Sequence, residues 1–176
     1  EGNHITQRLY WGLSYASGYF HLGMLAEAQR ELENLGNLYQ KHPEVLSLNG
    51  LILLAKRRWQ DVIDHSELAT ALYPESPDFY IQAAYAYDKL NMPAEARDVW
   101  LEAPTEVRTS PLFHYNVARC EARLGNHDTA KKHVQTALTL APEMISTIYQ
   151  DASLQYLVDN ESALPSPSEE SDSQDT

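Results

Sequence analysis

Apolar side chains recur along this chain three or four residues apart, the spacing of one face of a helix. This pattern, with the polar breaks between its segments, predicts nine helices near residues 7–22, 25–40, 44–56, 59–73, 77–90, 93–103, 111–124, 127–140 and 143–158. Residues that favour a chain reversal lie between paired helices, at Gly23, Lys56-Arg57-Arg58, Asn91 with Pro93, and Gly125-Asn126. The hydrophobic pattern therefore predicts an all-α chain of short helical hairpins.

Small residues and prolines recur at a fixed interval of 34 residues. The three series are Ala28, Val62, Ala96, Ala130; Ala16, Gly50, Ala84, Ala118; and Pro43, Pro77, Pro111. Because two helices approach closely only where a side chain is small, these residues predict one helix crossing in each repeat, with Val62 limiting the space opposite Gly50. Ser76 and Ser110, each followed by proline, predict capped helix N-termini.

The repeated segments resemble the tetratricopeptide repeat. Tyr80-x2-Ala83-Ala84-x2-Tyr87, then Ala96-x3-Trp100 and Ala103, is similar to the family pattern W-x2-L-G-x2-Y, A-x3-F, P. Matching residues recur in phase over about residues 9–144, least regularly in the first repeat. The resemblance implies an all-α, right-handed superhelical solenoid of about four repeats with a C-terminal capping helix.

A second resemblance concerns the last repeat and the residues that follow it. This region is similar to small bacterial tetratricopeptide repeat proteins of unknown activity, in the segments Tyr115-Asn116-Val117-Ala118, Leu124-Gly125-Asn126 and Asp151-Ala152-Ser153-Leu154. This second resemblance bears on the evolutionary origin of the chain and implies no activity.

The resemblance and the local composition together suggest a division of the chain. We expect an N-terminal lead-in at residues 1–8 and repeats at 9–42, 43–76, 77–110 and 111–144, followed by a capping helix at 145–159. No Lys or Arg follows Lys132, and residues 160–176 are mostly Ser, Pro, Glu and Asp. Because this segment has little apolar area to bury, it is predicted to be a disordered acidic tail.

Charge and composition restrict the classes of partner. The 176 residues are 43% hydrophobic and carry a formal net charge of −12, which argues against nucleic acids and anionic membranes, since both attract positive proteins. No apolar run approaches the roughly 20 residues of a membrane-spanning helix. A single cysteine, Cys120, excludes an internal disulfide and fits a reducing cytoplasm, although a chain that begins at Glu1 leaves open a removed signal segment.

Residue patterns that carry chemistry are scarce. None of the seven histidines forms an i, i+4 pair, and Cys120 has no Cys-x-x-Cys partner. Phosphate-binding glycine loops and nucleophile elbows are also absent from the sequence. Cys120 and His114 lie six residues apart, on roughly opposite faces of one predicted helix, so Cys120 is interpreted as a packing residue. We predict no catalytic, metal or cofactor site.

The resemblance places a peptide-binding groove on the first helix of each repeat. In this fold the second, fifth, sixth, ninth, twelfth and thirteenth positions of that helix face the concave surface, among them Ser17, Glu44, Ser47, Asp78 and Gln82. The predicted binding residues are Tyr10, Leu13, Phe20, Leu48, Leu51, Leu54, Ile81, Tyr85, Lys89, Tyr115, Asn116, Arg119 and Arg123. Their floor is unusually apolar for an exposed surface.

Two interpretations of the groove remain open at this point. It binds a foreign apolar peptide, with Asn116, Arg119 and Arg123 gripping a backbone or a carboxylate, or it is covered by the chain itself or by a second copy in a homodimer. Arg119 and Arg123 alone also fit an ordinary solvated surface pair. The predicted function is a non-enzymatic scaffold or adaptor for a protein or peptide partner. The alternatives are a chaperone for apolar segments of secreted proteins and a small-ligand-binding or enzyme-accessory domain.

Overall fold

The computed structural model describes the backbone of residues 2–159 and the side chains of residues 7–157. Its helices are α1 Gly2–His21, α2 Leu25–Asn34, α3 Pro43–Ala55, α4 Trp59–Leu72, α5 Pro77–Lys89, α6 Pro93–Glu102, α7 Thr105–Arg108, α8 Pro111–Arg123, α9 His127–Leu140, α10 Ile145–Gln150 and α11 Gln155–Asp159. A 3₁₀ turn, Pro142–Met144, precedes α10. Residues 2–159 contain no strand, so the all-α prediction is confirmed.

The chain divides into two compact units, an N-terminal unit that ends at Pro104 and a C-terminal unit that begins at Thr105. In the N-terminal unit, three helical hairpins, α1/α2, α3/α4 and α5/α6, pack in chain order, because α2 also contacts α3 and α4 also contacts α5. The first helices of the hairpins are neighbours as well, α1 with α3 and α3 with α5. Buried apolar residues between the first two hairpins include Ala16, Ala28, Leu32, Val45 and Ile52. Each hairpin thus buries its apolar face on the next.

The predicted small residues at the helix crossings are buried in all four hairpins. Gly50 shows why size matters there, since a Cβ added to it would lie 1.9 Å from Oε1 of Gln82. Gln82 is itself only 4% exposed, and its Nε2 donates to the carbonyl oxygen of Ser47 at 3.3 Å. The sequence had suggested that Val62 limits the space at position 50. The nearest neighbour of an added side chain is instead Gln82. Gln82 is correspondingly a packing residue and not part of an open groove surface.

The reversals inside the hairpins are built alike. Gly23, Arg57, Asn91 and Gly125, each 34 residues from the next, all have a positive φ, between 56° and 81°. The N–H of the following residue donates to a carbonyl five residues back, as from Met24 to Tyr19, which is the Schellman arrangement that closes a helix C-terminus. The predicted turn positions are confirmed, and two of them tolerate a side chain in a conformation that favours glycine.

The helix ends confirm some of the predictions and correct others. Helices α5 and α8 begin at their prolines as predicted, and α3 begins at Pro43, one residue before its predicted start. Of the two predicted caps, Ser110 Oγ accepts from the N–H of Phe113 at 3.2 Å, whereas the side chain of Ser76 forms no cap. The second helix, expected to reach residue 40, ends at Asn34 because Gly36 takes a φ of +83°. Gln40 then folds back, and its Nε2 donates to the carbonyl of Leu32 at 2.9 Å.

The C-terminal unit is a hairpin, α8/α9, with short helices on either side in the sequence. Helix α7 was not predicted, and the single helix expected over residues 143–158 is instead the 3₁₀ turn followed by α10 and α11. Asp151 ends α10, and its Oδ1 accepts from the N–H of Ser153 at 2.8 Å, which starts a turn in place of another helical turn. Ile148, Leu154 and Leu157 are buried against the hairpin.

Both ends of the chain extend beyond what the structure describes. Helix α1 begins at Gly2, five residues before its predicted start, and so occupies most of the expected lead-in. The acidic tail predicted at residues 160–176 lies outside the described residues. Within residues 2–159, no helix is long and apolar enough to cross a membrane.

Candidate functional site

The N-terminal unit contains a groove formed by the first helices of its three hairpins. A cavity of about 360 Å³ lies there, lined by Leu13, Ser17, Pro43, Glu44, Ser47, Leu48, Leu51, Ser76 and Asp78. Leu13 and Leu48 are half-buried, and their inner sides pack on the unit's core, while Leu51 is 39% exposed. The structure therefore brings together three of the apolar residues that the sequence placed in a peptide-binding groove.

The rim of this groove is acidic. Glu44 and Asp78 are exposed, each in the first turn of its helix, where a negative charge also favours the helix dipole. Ser47 Oγ donates to Oδ2 of Asp78 at 3.0 Å, which ties α3 to α5 at the rim. None of the residues that line the cavity is Lys, Arg or His. The groove combines an apolar floor with negative charge.

Two lining residues, Pro43 and Ser76, were not expected from the sequence. They lie at or just before the first turns of α3 and α5, whereas the inward positions were counted from the second residue of each helix onward. The periodic proline positions were the available signal, since they show where the helix N-termini meet.

The other predicted groove residues of this unit lie outside that cavity. Tyr10, Ile81 and Tyr85 are exposed, at 63%, 37% and 47%, whereas Phe20 and Leu54 are half-buried and pack against core clusters. The ring of Tyr85 lies 6.1 Å from that of Trp59, and Nζ of Lys89 lies 4.8 Å from the Tyr85 ring centre. Tyr85 thus has aromatic and cationic neighbours from its own unit.

In the C-terminal unit, two of the predicted binding residues, Tyr115 and Arg119, contact a carboxylate of the same chain. The hydroxyl of Tyr115 donates to Oδ2 of Asp151 at 2.7 Å, and Nε of Arg119 lies 2.7 Å from the same oxygen. Asn116 accepts from Nη1 of Arg119 at 3.3 Å, and Arg123 is half-buried at the end of α8. The carboxylate at Arg119 is thus supplied by Asp151 of the same chain.

Electrostatics at Asp151 agree with this geometry. Burial favours the neutral carboxyl, but the hydrogen bonds from Tyr115 and Ser153 and the positive charge of Arg119 outweigh it and hold the pKa of Asp151 below its ordinary value of 3.8. Asp151 is therefore charged at neutral pH and bridges the segment after α10 to α8.

The same unit contains a histidine pair that the sequence analysis missed. Nδ1 of His114 on α8 lies 2.9 Å from Nδ1 of His133 on α9, so one ring must donate and the other accept. A signal was available, because His114 precedes Ala118 by one helical turn and His133 follows Ala130 by one turn, and Ala118 and Ala130 mark the helix crossing. An i, i+4 spacing describes pairs along one helix and does not reveal a pair that forms across a hairpin.

We expect this pair to make the C-terminal unit less stable in mild acid. Burial lowers the pKa of both imidazoles below 6.5, and His114 lowers that of His133 further. The unfolded chain therefore binds more protons than the folded chain just below pH 6.5, so stability is greatest above that pH and decreases as the pH falls through the lowered pKa values. The measurement is the urea midpoint at pH 7.5 and 5.5 for the parent chain, His133→Gln and, as control, the exposed His127→Gln.

The His133→Gln chain should show a smaller decrease in midpoint between the two pH values than the parent, and His127→Gln should behave as the parent does. An equal pH dependence in all three chains would contradict the role of the pair.

Within residues 2–159 no group of three or more His, Cys, Asp and Glu side chains is arranged to hold a metal ion. Cys120 is 3% exposed, as expected of a packing residue.

Comparison with known proteins agrees with the repeat architecture. Residues 113–144 match the model of the tetratricopeptide repeat. The structure is similar to that of MamA, from residue 41 to its end, of Desulfovibrio magneticus RS-1, with a TM-score of 0.76 and 15% identity over 89% of this chain and 86% of that one. It is also similar to a thermophilic TPR protein of Thermus thermophilus, with a TM-score of 0.59 and 17% identity over 86% of this chain and 79% of that one.

No curated protein matches the chain by sequence. The sequence identities to the solved structures are low, so the similarity shows the fold alone. The resemblance to tetratricopeptide repeat proteins is nevertheless confirmed at two levels, one repeat by sequence and the whole fold by structure. Residues 113–144 match the tetratricopeptide repeat, and the chain has the fold of an all-α repeat solenoid.

Proposed function

We propose that the chain is a protein-interaction module, a scaffold or adaptor, and that the groove of α1, α3 and α5 binds a peptide segment of a partner protein. The observation that carries this proposal is the cavity of about 360 Å³ with Leu13, Leu48 and Leu51 as its floor. Such a cavity accepts one or two apolar side chains, which is how a helical or extended segment anchors itself in a groove.

The acidic rim narrows the chemistry of the partner. Glu44 and Asp78 border the floor, so a segment that carries Lys or Arg next to its apolar residues gains charge complementarity. A second copy of this chain is a poorer occupant, because it presents the same acidic rim and a net charge of −12. We therefore assign the groove to a basic, apolar segment of another protein, and homodimer formation is an outcome of the test.

The experiment selects peptides from a random 12-residue display library on the immobilised chain and measures their affinities by fluorescence anisotropy. Leu51→Glu should abolish binding, since it places a charge on the apolar floor. Glu44→Gln should weaken binding by about two- to fivefold at low salt and less at high salt, as expected of a rim charge. Selected peptides should combine apolar residues with Lys or Arg.

Leu72 provides a matched control for Leu51. It is also a leucine at 39% exposure in the same unit, but it lies on α4 and does not line the cavity. Leu72→Glu should leave peptide binding unchanged. Equal losses for the two variants, or selected peptides without basic residues, would overturn the proposal. A parent chain that is dimeric and becomes monomeric on Leu51→Glu would assign the groove to a second copy.

A further inference from the structure

A second cavity, of about 290 Å³, lies in the N-terminal unit among α4, α5 and α6, and the peptide groove does not use it. Its walls are Ile63, Ser66, Glu67, Thr70, Tyr80, Ala83, Tyr87, Glu95, Asp98, Val99 and Glu102. The lining residues on each helix lie one, three or four positions apart, so one face of each helix contributes to the cavity. Helix α5 presents Asp78 to the groove and Tyr80, Ala83 and Tyr87 to this second cavity.

The charge in this cavity is strongly negative. Four carboxylates line it, and Arg97 forms an ion pair with one of them, Asp98, at 2.8 Å. Among the residues the structure describes, no Lys, Arg or His forms an ion pair with Glu67, Glu95 or Glu102. A cation that enters the cavity thus gains three carboxylates that are not already paired.

A buried hydroxyl in the cavity wall is a second observation that points to a ligand. Ser66 is 1% exposed and lines the cavity, and its Oγ has no hydrogen-bond partner among residues 7–157. Buried hydroxyl groups are nearly always hydrogen-bonded, because a donor or acceptor without a partner costs free energy. An N–H donor inside the cavity would satisfy this oxygen.

The shape of the acidic wall suggests an elongated cation. Glu95, Asp98 and Glu102 are spaced three and four residues apart on one face of α6, so Glu95 and Glu102 are separated by about 10 Å of helix rise. Apolar and aromatic residues also line the cavity, among them Ile63, Val99, Tyr80 and Tyr87. Methylene groups pack on such walls, and ammonium groups are attracted to tyrosine faces.

We propose that this cavity binds a linear alkylammonium chain that carries two or more positive charges. The charges pair with Glu67, Glu95 and Glu102, one N–H donates to Ser66 Oγ, and the methylene groups contact the apolar wall. The same chemistry has two sources, a free polyamine and the lysine side chains of a partner. This site is separate from the peptide groove and does not depend on its occupant.

The test is isothermal titration calorimetry of the full chain at low ionic strength with spermidine and with a tetralysine peptide. One molecule of spermidine or of tetralysine should bind per chain, and the stronger ligand identifies the source. Triethylene glycol, an uncharged chain of similar length, should give no heat. Magnesium chloride at equal ionic strength should not displace the bound ligand.

Variants locate the binding. Glu95→Gln combined with Glu102→Gln should raise the dissociation constant at least about tenfold, and Ser66→Ala about tenfold, since each removes hydrogen bonds to a charged group. The control, Glu31→Gln combined with Glu33→Gln on α2, changes the net charge equally and should leave the affinity unchanged. Leu51→Glu should also leave it unchanged, which separates this site from the groove.

Three results would overturn the proposal. The first is that neither cation binds, the second is an equal loss of affinity in the α2 control, and the third is complete displacement of the ligand by magnesium. Each would show that the cavity attracts cations only as general counterions. Far-UV circular dichroism and melting of every variant show that the comparison is made between folded chains.

Discussion

A chain that ends at Pro142 is expected to lose the folded structure of the α8/α9 hairpin, whereas a chain that ends at Asp159 keeps it. Ile148 and Leu154 are fully buried and Leu157 is 4% exposed, all packed against the hairpin. Each buried side chain of this size contributes roughly 1.5–3 kcal/mol, so the three together reach the order of the 5–15 kcal/mol that stabilises a typical domain. The shorter chain also loses Asp151.

Hydrogen exchange measured by mass spectrometry checks this prediction locally. Amides of α8 and α9 should exchange rapidly in the 1–142 chain and slowly in the 1–159 chain, and the shorter chain should bind a hydrophobic dye. The 1–159 chain should match the full chain, because the composition of residues 160–176 predicts no packing role. Unchanged protection of α8 and α9 in the shorter chain would show that the terminal segment does not stabilise the unit.

Replacing Asp151 with alanine is expected to lower the free energy of unfolding by roughly 2–3 kcal/mol, the second largest effect. The change removes the hydrogen bond from Tyr115, the ion pair with Arg119 and the turn contact to the N–H of Ser153. Hydrogen bonds to charged groups contribute about 1.5–3 kcal/mol each, and the expected loss stays below their sum because Arg119 is 25% exposed and regains water.

Urea unfolding at neutral pH measures this effect, with Glu143→Ala at an exposed acid of the same unit as control. Asp151→Asn separates charge from shape, since the amide oxygen still accepts at the turn. Because the pKa of Asp151 is lowered, its stabilisation is present above pH 3.8 and is lost as the pH falls through the lowered value, so the Asn variant and the parent should converge in acid. An Asp151→Ala midpoint equal to that of the control would contradict the bridging role.

The groove of α1, α3 and α5 was predictable in part. The repeat phase placed Leu13, Leu48 and Leu51 on one concave surface, and the structure brings these three together in one cavity. The repeat phase also placed Gln82 on that surface, yet its side chain is buried next to Gly50. A positional rule describes the average repeat, whereas the side chain that fills a gap depends on the size of its particular neighbour.

At the end of the repeat array, the sequence predicted less of the structure. A helical pattern over residues 143–158 did not show that Asp151 would stop the helix and pair with Tyr115, 36 residues earlier. Interactions between repeats leave a periodic trace because each hairpin meets the next in the same way. The terminal segment meets its neighbour once, so no period records the contact.

The sequence by itself determined the all-α class, the 34-residue period, the small residues at the crossings and the reversals at Gly23, Arg57, Asn91 and Gly125, because local backbone preference and nearest-neighbour packing govern all of these. Only the tertiary structure decided the division at Pro104, the Asp151 contacts, the histidine pair and the acidic cavity around Ser66. These depend on side chains from different helices that meet at particular distances. Hydrophobic periodicity tells which face of a helix is buried, but not which polar atoms meet there.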